Sequence, residues 1–310
     1  MDVYLPIANL AVDGLVIVAL GVATGILSGV FGVGGGFLTT PLLIFYGIPP
    51  TVAAASAATQ VTGASVSGVF AHSRKNGVDY QIGGVIVAGG MVGALIGALL
   101  FNLLRAVGQI DVVINILYVL LLGTIGGLMG REALQELWPG RFGGGGADGG
   151  KRQTAKRRHH PMIAGLPYRW RFYRSGLYIS PLGPLILGVV VGILTMLMGV
   201  GGGFIMVPAM LYILGMSARV VVGTSLFNIL FITMLVTMVH AFTTRAVDIV
   251  LAGLLLLGSV TGAQLGTKIA GFAKPEHLRL VLAAIVLVIA LQMAYGLGVR
   301  PAEVYTVVPL

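Results

Sequence analysis

Gly32-Val33-Gly34-Gly35-Gly36-Phe37 and Gly199-Val200-Gly201-Gly202-Gly203-Phe204 are two copies of one short sequence in a chain of 310 residues. Each copy lies in a long apolar stretch, and a proline follows each, Pro41 or Pro208. Glycine in a helix interior costs about 1 kcal/mol relative to alanine, so three consecutive glycines predict a break in each helix. Interrupted apolar segments at corresponding positions of two halves are typical of a transporter's binding site.

The composition is typical of a protein that crosses a membrane many times. The chain is 57% hydrophobic and 9% charged, with a mean hydropathy of +0.99, whereas a soluble domain carries about 25% charged residues. Several apolar runs reach the roughly 20 residues that span a bilayer, and they are continuous, which excludes a transmembrane barrel. The absence of cysteine excludes disulfides and thiolate chemistry. We therefore predict an all-α polytopic membrane protein.

The two halves of the chain align almost without gaps, with the region after Gly21 matching that after Gly188. Further along, the aligned pairs are Ser56 with Thr224, Gln60 with Asn228, His72 with His240, and Asp79 with Asp248. This internal similarity predicts a first membrane repeat over residues 1–130 and a second over residues 181–310. We expect about five transmembrane segments in each repeat, about ten in total, with a glycine-broken first helix and a short second helix.

The distribution of lysine and arginine favours two inverted repeats. If the short second segment crosses the membrane and the N-terminus lies outside, most basic residues fall in cytoplasmic loops, as the positive-inside rule requires. A re-entrant short segment, with four passes per half, leaves more of them outside. We therefore expect a multi-pass membrane protein with both termini on the outer side of the membrane. The first helix lacks a basic n-region and is expected to be retained.

Residues 131–180 form a basic segment between the repeats, which we predict to be a cytoplasmic linker. Ten of the nineteen lysines and arginines lie between Arg131 and Arg174. Near its end, arginines alternate with aromatic residues, a pattern that suits the anionic headgroups of the inner leaflet. Base stacking is the alternative for such a pattern. We predict membrane lipid as the partner and no nucleic acid.

The two glycine breaks predict a binding site for an anion. In the inverted arrangement each short helix starts below the membrane surface with its N-terminus directed inward. Helix N-termini carry about half a positive charge and free N–H groups, so two of them bind an anion without a buried cation. Close helix packing is the alternative role of the glycines. A nucleotide loop is excluded, since the glycine spacing fails and no strand precedes either break.

Polar side chains in the third segment of each half add candidates for this site. An amide inside a membrane needs a hydrogen-bond partner, and hydroxyls and amides donate to anionic oxygens; interhelical hydrogen bonding is the alternative for the hydroxyls. No cofactor and no metal site is predicted. The predicted substrate-binding residues are Gly34, Gly35, Gly36, Phe37, Ser56, Gln60, Gly201, Gly202, Gly203, Phe204, Thr224, Ser225 and Asn228.

Two histidines and two aspartates near the ends of these segments are candidates for a proton relay or gate, because histidine titrates near neutrality. They are His72, Asp79, His240 and Asp248. The alternative is that they cap helices at the water interface, where aspartate is favoured. Glycines spaced by four predict contact faces between helices, some of them between protomers of a homodimer; these are Gly89, Gly93 and Gly97, and Gly258, Gly262 and Gly266.

At these residues the sequence resembles the TauE/SafE family of sulfite and organosulfonate exporters. The resemblance rests on the segments Gly29 to Pro41 and Met198 to Pro208, on Val222-Gly223-Thr224-Ser225-Leu226, and on Val78-Asp79 and Val247-Asp248. It departs from the family at Ala55-Ser56-Ala57, where a Thr-Ser pair is usual. The resemblance implies export of sulfite, sulfoacetate or related C2 sulfonates across the bacterial inner membrane by a protein that is not an enzyme. Both termini are then expected to be periplasmic. An anion channel and a transporter of another small anion are the alternatives, and a membrane-embedded scaffold is a third.

Overall fold

The structure is a computed structural model that describes residues 2–31, 35–74, 77–137, 170–172, 175, 177–270 and 275–298. Its first repeat contains the hairpin β1 (Asp2–Leu5) and β2 (Leu10–Asp13), followed by α1 (Gly14–Phe31), α2 (Gly36–Phe45), α3 (Pro50–Arg74), α4 (Tyr80–Ala106) and α5 (Ile110–Leu137). Its second repeat contains β3 (Trp170–Phe172), β4 (Leu177–Ile179), α6 (Leu182–Met198), α7 (Gly203–Pro208), α8 (Ala218–Val239), α9 (Ile249–Ala270) and α10 (Pro275–Gly298). Short π-helical turns extend α7 over Ala209–Ile213 and α8 over His240–Thr244.

The helices confirm the prediction of a helical membrane protein. In the described part of the chain, five segments are long and apolar enough to cross a bilayer: Tyr80–Ala106, Ile110–Arg131, Val220–Thr244, Ile249–Gly266 and Leu280–Gly298. Large apolar side chains such as Leu99, Leu257 and Leu291 point outward and are mostly exposed. An exposed apolar surface of this kind is suited to lipid.

Three other helices are shorter or more polar because of their positions in the bundle. α1 and α6 have 18 and 17 residues because each ends at a glycine break. α3 has 25 residues and a low mean apolarity, but the run from Ala53 to Ala58 is fully buried between other helices. A helix that contacts protein on all sides tolerates polar side chains that lipid would not.

The glycine ladders bring helices of different repeats together in parallel pairs. α4 packs on α6, where a Cβ built on Gly93 would lie 2.1 Å from the Val189 carbonyl oxygen. α1 packs on α9 in the same way, with Gly25 against Ser259. Contacts this close exclude any side chain larger than hydrogen, so the predicted contact faces are confirmed. Because both ladders face helices of the same chain, they do not provide a dimer surface.

Equivalent helices of the two repeats pair in antiparallel fashion. α3 and α8 cross with the hydroxyl oxygens of Thr62 and Thr233 2.8 Å apart and those of Thr59 and Thr237 3.4 Å apart. Residues further along α3 therefore contact residues earlier in α8. α5 and α10 pair in the same sense, because Gly126 contacts residues 286–287 while Gly130 contacts residues 283 and 287.

Each repeat begins with a short β-hairpin that the sequence analysis did not predict. The antiparallel register pairs Leu5 with Leu10 in one hairpin and Phe172 with Leu177 in the other. The first helix, α1, therefore begins at Gly14, directly after the hairpin. Strands of three or four residues are too short to show a period of two. Residues 138–169, most of the predicted basic linker, lie outside the described residues.

Candidate functional site

The second glycine break is built from backbone that only glycine adopts easily. α6 ends at Met198, and Gly199, Gly201 and Gly202 have φ angles of 72°, 75° and 73°. α7 then begins at Gly203. Left-handed backbone costs other residues roughly 1–2 kcal/mol each, so these three left-handed glycines fix the position of the break. The predicted interruption is confirmed here.

The first break has different local geometry over the residues that the structure describes. α1 ends at Phe31 and α2 begins at Gly36. Gly35 caps α2 with a φ of −66°, an ordinary right-handed value. Gly34, a predicted site residue, lies outside the described residues. The two breaks therefore share a position in the repeat, but the glycines that cap the short helices, Gly35 and Gly202, differ in conformation.

The starts of the two short helices meet in the protein interior. The rings of Phe37 and Phe204, each next to the first residue of its helix, stack with centroids 4.3 Å apart and planes within 3°. A Cβ on Gly36 would lie 2.8 Å from the Val200 carbonyl oxygen, and Val61 of α3 contacts both Gly36 and Gly201. Both phenylalanines are buried. The structure thus brings Gly36 and Phe37 of the first repeat close to Gly201 and Phe204 of the second.

The carbonyl end of α6 is held by side chains from three other helices. The hydroxyl of Tyr118 donates to the Met198 carbonyl oxygen at 2.7 Å, and Thr40 donates to the same atom at 3.3 Å. His240 Nε2 lies 3.0 Å from the Met196 carbonyl oxygen. These bonds satisfy carbonyls that the break leaves without helical partners. Tyr118 was missed by the sequence analysis, because a single tyrosine in an apolar helix carries no distinctive pattern.

Several buried polar atoms near the middle of the bundle have no hydrogen-bond partner among the described residues. They are Gln60 Oε1, Ser225 Oγ, Thr195 Oγ1, and both Oδ1 and Nδ2 of Asn228. Buried polar atoms are usually paired, and leaving one unpaired costs about 1–3 kcal/mol. Each of these atoms is chemically able to form a hydrogen bond with a ligand or with water.

Thr195 is a further candidate for the site that the sequence analysis missed. Its hydroxyl lies beside the cap of α7, since a Cβ on Gly202 would be 3.2 Å from Thr195 Oγ1. In the first repeat, Ser28 lies beside Gly35 in the equivalent place. A hydroxyl at the same position of both repeats was visible in the alignment and indicates a shared role at the two helix starts.

Ser56 and Thr224 lie next to the aspartates of the opposite repeat. The backbone N–H of Asp79 donates to Thr224 Oγ1 at 2.9 Å, and that of Asp248 donates to Ser56 Oγ at 3.2 Å. Both hydroxyl oxygens therefore act as acceptors for protein groups. Gln60 and Asn228 lie one helical turn further along α3 and α8.

The histidines and aspartates do not form a direct relay. Among the hydrogen bonds of the described residues, His72 Nδ1 pairs with the Gly68 carbonyl oxygen at 3.1 Å, and neither histidine contacts an aspartate. Asp79 and Asp248 cap α4 and α9, as the alternative interpretation expected, but both are buried and not at a water interface. That interpretation is wrong for His240, which is fully buried and packs against Phe101. Its packing place between helices was not readable from the sequence.

A cavity of about 360 Å³ lies where the ends of α2, α5 and α10 meet. Its lining includes Phe45, Asn115, Gln292 and Tyr295, and Asn115 Oδ1 is buried without a partner among the described residues. Tyr118 follows Asn115 on α5 by one turn, with its hydroxyl on the α6 carbonyl. On α5, the cavity lining at Asn115 therefore lies one helical turn before the Tyr118 contact. No cluster of potential metal ligands occurs within the part of the chain that the structure describes.

Comparison with known proteins gives one family and several relatives. The family model described as sulfite exporter TauE/SafE matches residues 17–293. The chain is 26% identical to the probable membrane transporter protein YjnA of Bacillus subtilis, over 89% of this chain and 98% of that protein. It is also 26% identical to the probable membrane transporter protein YunE of the same organism, over 91% and 97%. A probable membrane transporter protein of Xylella fastidiosa is 25% identical over 85% and 88%. No solved structure matches.

Proposed function

This chain belongs to the sulfite exporter TauE/SafE family, and from that premise we propose that it exports small sulfur-containing anions across the bacterial inner membrane. The family and its relatives are membrane transporters and not enzymes. The proposed substrates are sulfite, sulfoacetate or related C2 sulfonates, which the family description supports by its reference to sulfite. The proposed mechanism is alternating access between two inverted repeats.

The observation that carries the anion site is the meeting of two helix starts beside the unpaired hydroxyl of Thr195. Phe37 and Phe204 are in stacking contact, and the Thr195 hydroxyl and the Asn228 amide lack partners among the described residues. Free N–H groups at helix starts attract negative charge, and the hydroxyl and amide add neutral donors. A site of this kind binds an anion without a buried lysine or arginine, which favours release as well as binding.

The inverted arrangement is supported by how equivalent helices pair. α3 pairs with α8 and α5 with α10 in antiparallel fashion, as expected for two copies related by a two-fold axis across the helix direction. In this proposal both termini are periplasmic and residues 131–180 are cytoplasmic. A homodimer remains a proposal that requires a surface other than the glycine ladders, and the mass of the detergent-solubilised protein by light scattering tests it.

An anion channel built on the same helix starts is the second candidate. A channel in its open state needs a continuous polar path. The stacked, buried pair of Phe37 and Phe204 closes the centre instead, which favours a transporter with an occluded state. The same site would also accept a small carboxylate or another inorganic anion, so the substrate must be identified by measurement.

A thermal-shift screen of the purified protein tests the proposal. A ligand that binds only the folded state raises the melting temperature with its concentration. We expect sulfite or a C2 sulfonate to stabilise the protein selectively among sulfite, sulfate, sulfoacetate, taurine, acetate and chloride, and to be transported into liposomes at a saturable rate. Equal stabilisation by every anion, or by none, contradicts the proposed substrate class, and flux that does not saturate favours the channel.

A further inference from the structure

Two buried aspartates at equivalent positions cap the fourth helix of each repeat. Asp79 precedes α4, and Asp248 precedes α9. They are 1% and 0% exposed. In each, the Oδ1 atom accepts two backbone N–H groups of the following turn, at distances between 3.0 and 3.3 Å. One carboxylate oxygen of each residue is therefore used as a helix cap, and the other is free for a second role.

The second carboxylate oxygen of each aspartate binds the hairpin of the opposite repeat. Asp79 Oδ2 accepts the backbone N–H of Ser175 at 3.0 Å and also the Ser175 hydroxyl. Ser175 lies in the turn between β3 and β4. Asp248 Oδ2 accepts the backbone N–H of Ile7, in the turn between β1 and β2, at 3.0 Å. Both hairpins are thus fastened by an aspartate that lies more than ninety positions away in the chain.

The backbone of each aspartate makes a third contact with the opposite repeat. The N–H of Asp79 donates to Thr224 of α8, and the N–H of Asp248 donates to Ser56 of α3. We call Asp79, Thr224 and Ser175 the first latch, and Asp248, Ser56 and Ile7 the second latch. All of these bonds join different repeats, and both latches are formed in this structure. Any rotation of one repeat against the other must stretch them.

Each latch lies one helical turn from an amide side chain with an unpaired atom. The first hairpin packs on α3 and α9 through a buried cluster that includes Leu5, Val12, Ala53 and Leu251. Ser56, in the second latch, is one turn from Gln60, whose Oε1 lacks a partner among the described residues. Thr224 and Asn228 have the same spacing in the first latch. The first hairpin therefore lies over the start of α3, and the two latches lie beside Gln60 and Asn228 in their helices.

We propose that the two latches are the gates of the transporter. Asp79 and Asp248 act as positioning residues, and each keeps closed the entrance at its own latch. The proposal rests on the proposed function, since it assigns one gate to each side of the membrane. Release of the second latch lets the first hairpin leave α3 and opens the path to Gln60. Release of the first latch does the same for the second hairpin and Asn228. Opening one while the other stays formed gives alternating access.

Aspartate-to-asparagine variants separate the two roles of each side chain. Asparagine keeps an oxygen that caps the helix, but its NH₂ group cannot accept the N–H of the hairpin. The protein contains no cysteine, so single cysteines at buried positions report opening directly. Ala53→Cys lies in the cluster beneath the first hairpin, and Val221→Cys lies at the equivalent position of α8; both native residues are 0% exposed.

The test measures the rate of maleimide labelling in detergent. Asp248→Asn is expected to raise labelling at Ala53→Cys by about tenfold or more, the equilibrium equivalent of one hydrogen bond to a charged group, and to leave Val221→Cys unchanged. Asp79→Asn is expected to give the reverse. Asp2→Asn is the matched control, because Asp2 is an exposed aspartate in β1. Labelling that does not change, or that rises equally at both reporters, overturns the proposal.

Two further measurements keep the proposal distinct from the proposed function and from misfolding. Ser175→Ala removes one donor and keeps the carboxylate, so it is expected to increase labelling at Val221→Cys by less than Asp79→Asn does. Anion-induced thermal stabilisation is expected to persist in both aspartate variants. If the unaltered protein shows no anion-induced shift, the proposed function fails while the labelling result still decides the latches. If the shift is present and labelling is side-independent, only the latch proposal fails.

Discussion

Thr195→Val is expected to stabilise the protein and weaken anion binding at the same time. The Thr195 hydroxyl is fully buried and has no hydrogen-bond partner among the described residues. Valine has the same shape, so the substitution removes an unpaired polar group without opening a cavity. An unpaired buried group costs about 1–3 kcal/mol, and we expect a gain of that order in the free energy of unfolding. For a protein of this size or somewhat smaller, the melting temperature rises by about 2–4 °C per kcal/mol.

The same variant should lose affinity, because the hydroxyl lies next to the cap of α7 at Gly202. A hydrogen bond to a charged group contributes about 1.5–3 kcal/mol, which corresponds to a roughly 10- to 150-fold increase in Kd. Isothermal titration with the stabilising anion, together with thermal unfolding in its absence, measures both effects.

Thr24→Val is the matched control, since the Thr24 hydroxyl is buried and donates to the Gly21 carbonyl at 3.1 Å. It should lower stability slightly and leave Kd unchanged. A destabilised Thr195→Val protein with wild-type affinity would refute the assignment of the Thr195 hydroxyl to the anion site.

Three further predictions follow from the backbone and from the cavity. Gly202→Ala should lower the melting temperature by much more than Gly35→Ala, because Gly202 has a φ of 73° and its added Cβ would lie 2.2 Å from a valine methyl; equal effects in thermal unfolding would contradict the difference between the breaks. Tyr118→Phe should lower the free energy of unfolding by about 1 kcal/mol, because the Met198 carbonyl oxygen then keeps only the longer hydrogen bond from Thr40. Tyr295→Phe, at an exposed position, should leave the free energy of unfolding unchanged. Thermal unfolding of both variants measures the difference. Asn115→Leu should raise the KM for liposome flux without changing the equilibrium Kd if the cavity is an entrance, and an unchanged KM would assign the cavity no part in transport.

The membrane helices and the glycine break after Met198 were predictable because their causes lie within short stretches of sequence. A glycine triplet breaks a helix through its own backbone, as Gly201 and Gly202 do. The apolar runs identify membrane helices through their length, and five such spans are present in the described part of the chain. The glycine ladders were predictable as contact faces, since only hydrogen at the α-carbon permits the approach of Gly93 to α6.

The hairpins and the roles of individual polar residues were not predictable in the same way. Ser56 and Thr224 were expected to face the substrate, yet each accepts an aspartate N–H from the other repeat. His240 was expected either to relay protons or to cap a helix in water, and it is instead buried against α6. Each outcome depends on which side chain of a distant helix arrives opposite, and a single sequence does not contain that information.

The sequence by itself determined that this protein crosses a membrane, that its two halves are similar in sequence, and that each half carries a glycine segment between apolar runs. These are consequences of local backbone entropy and of the hydrophobicity of consecutive residues. The tertiary structure alone decided which buried polar groups are paired. Asp79 finds its partners 96 and 145 positions away, whereas Thr195 and Asn228 find none among the described residues. Whether a buried polar group is satisfied depends on long-range packing, because the partner must come from whichever helix the fold places beside it.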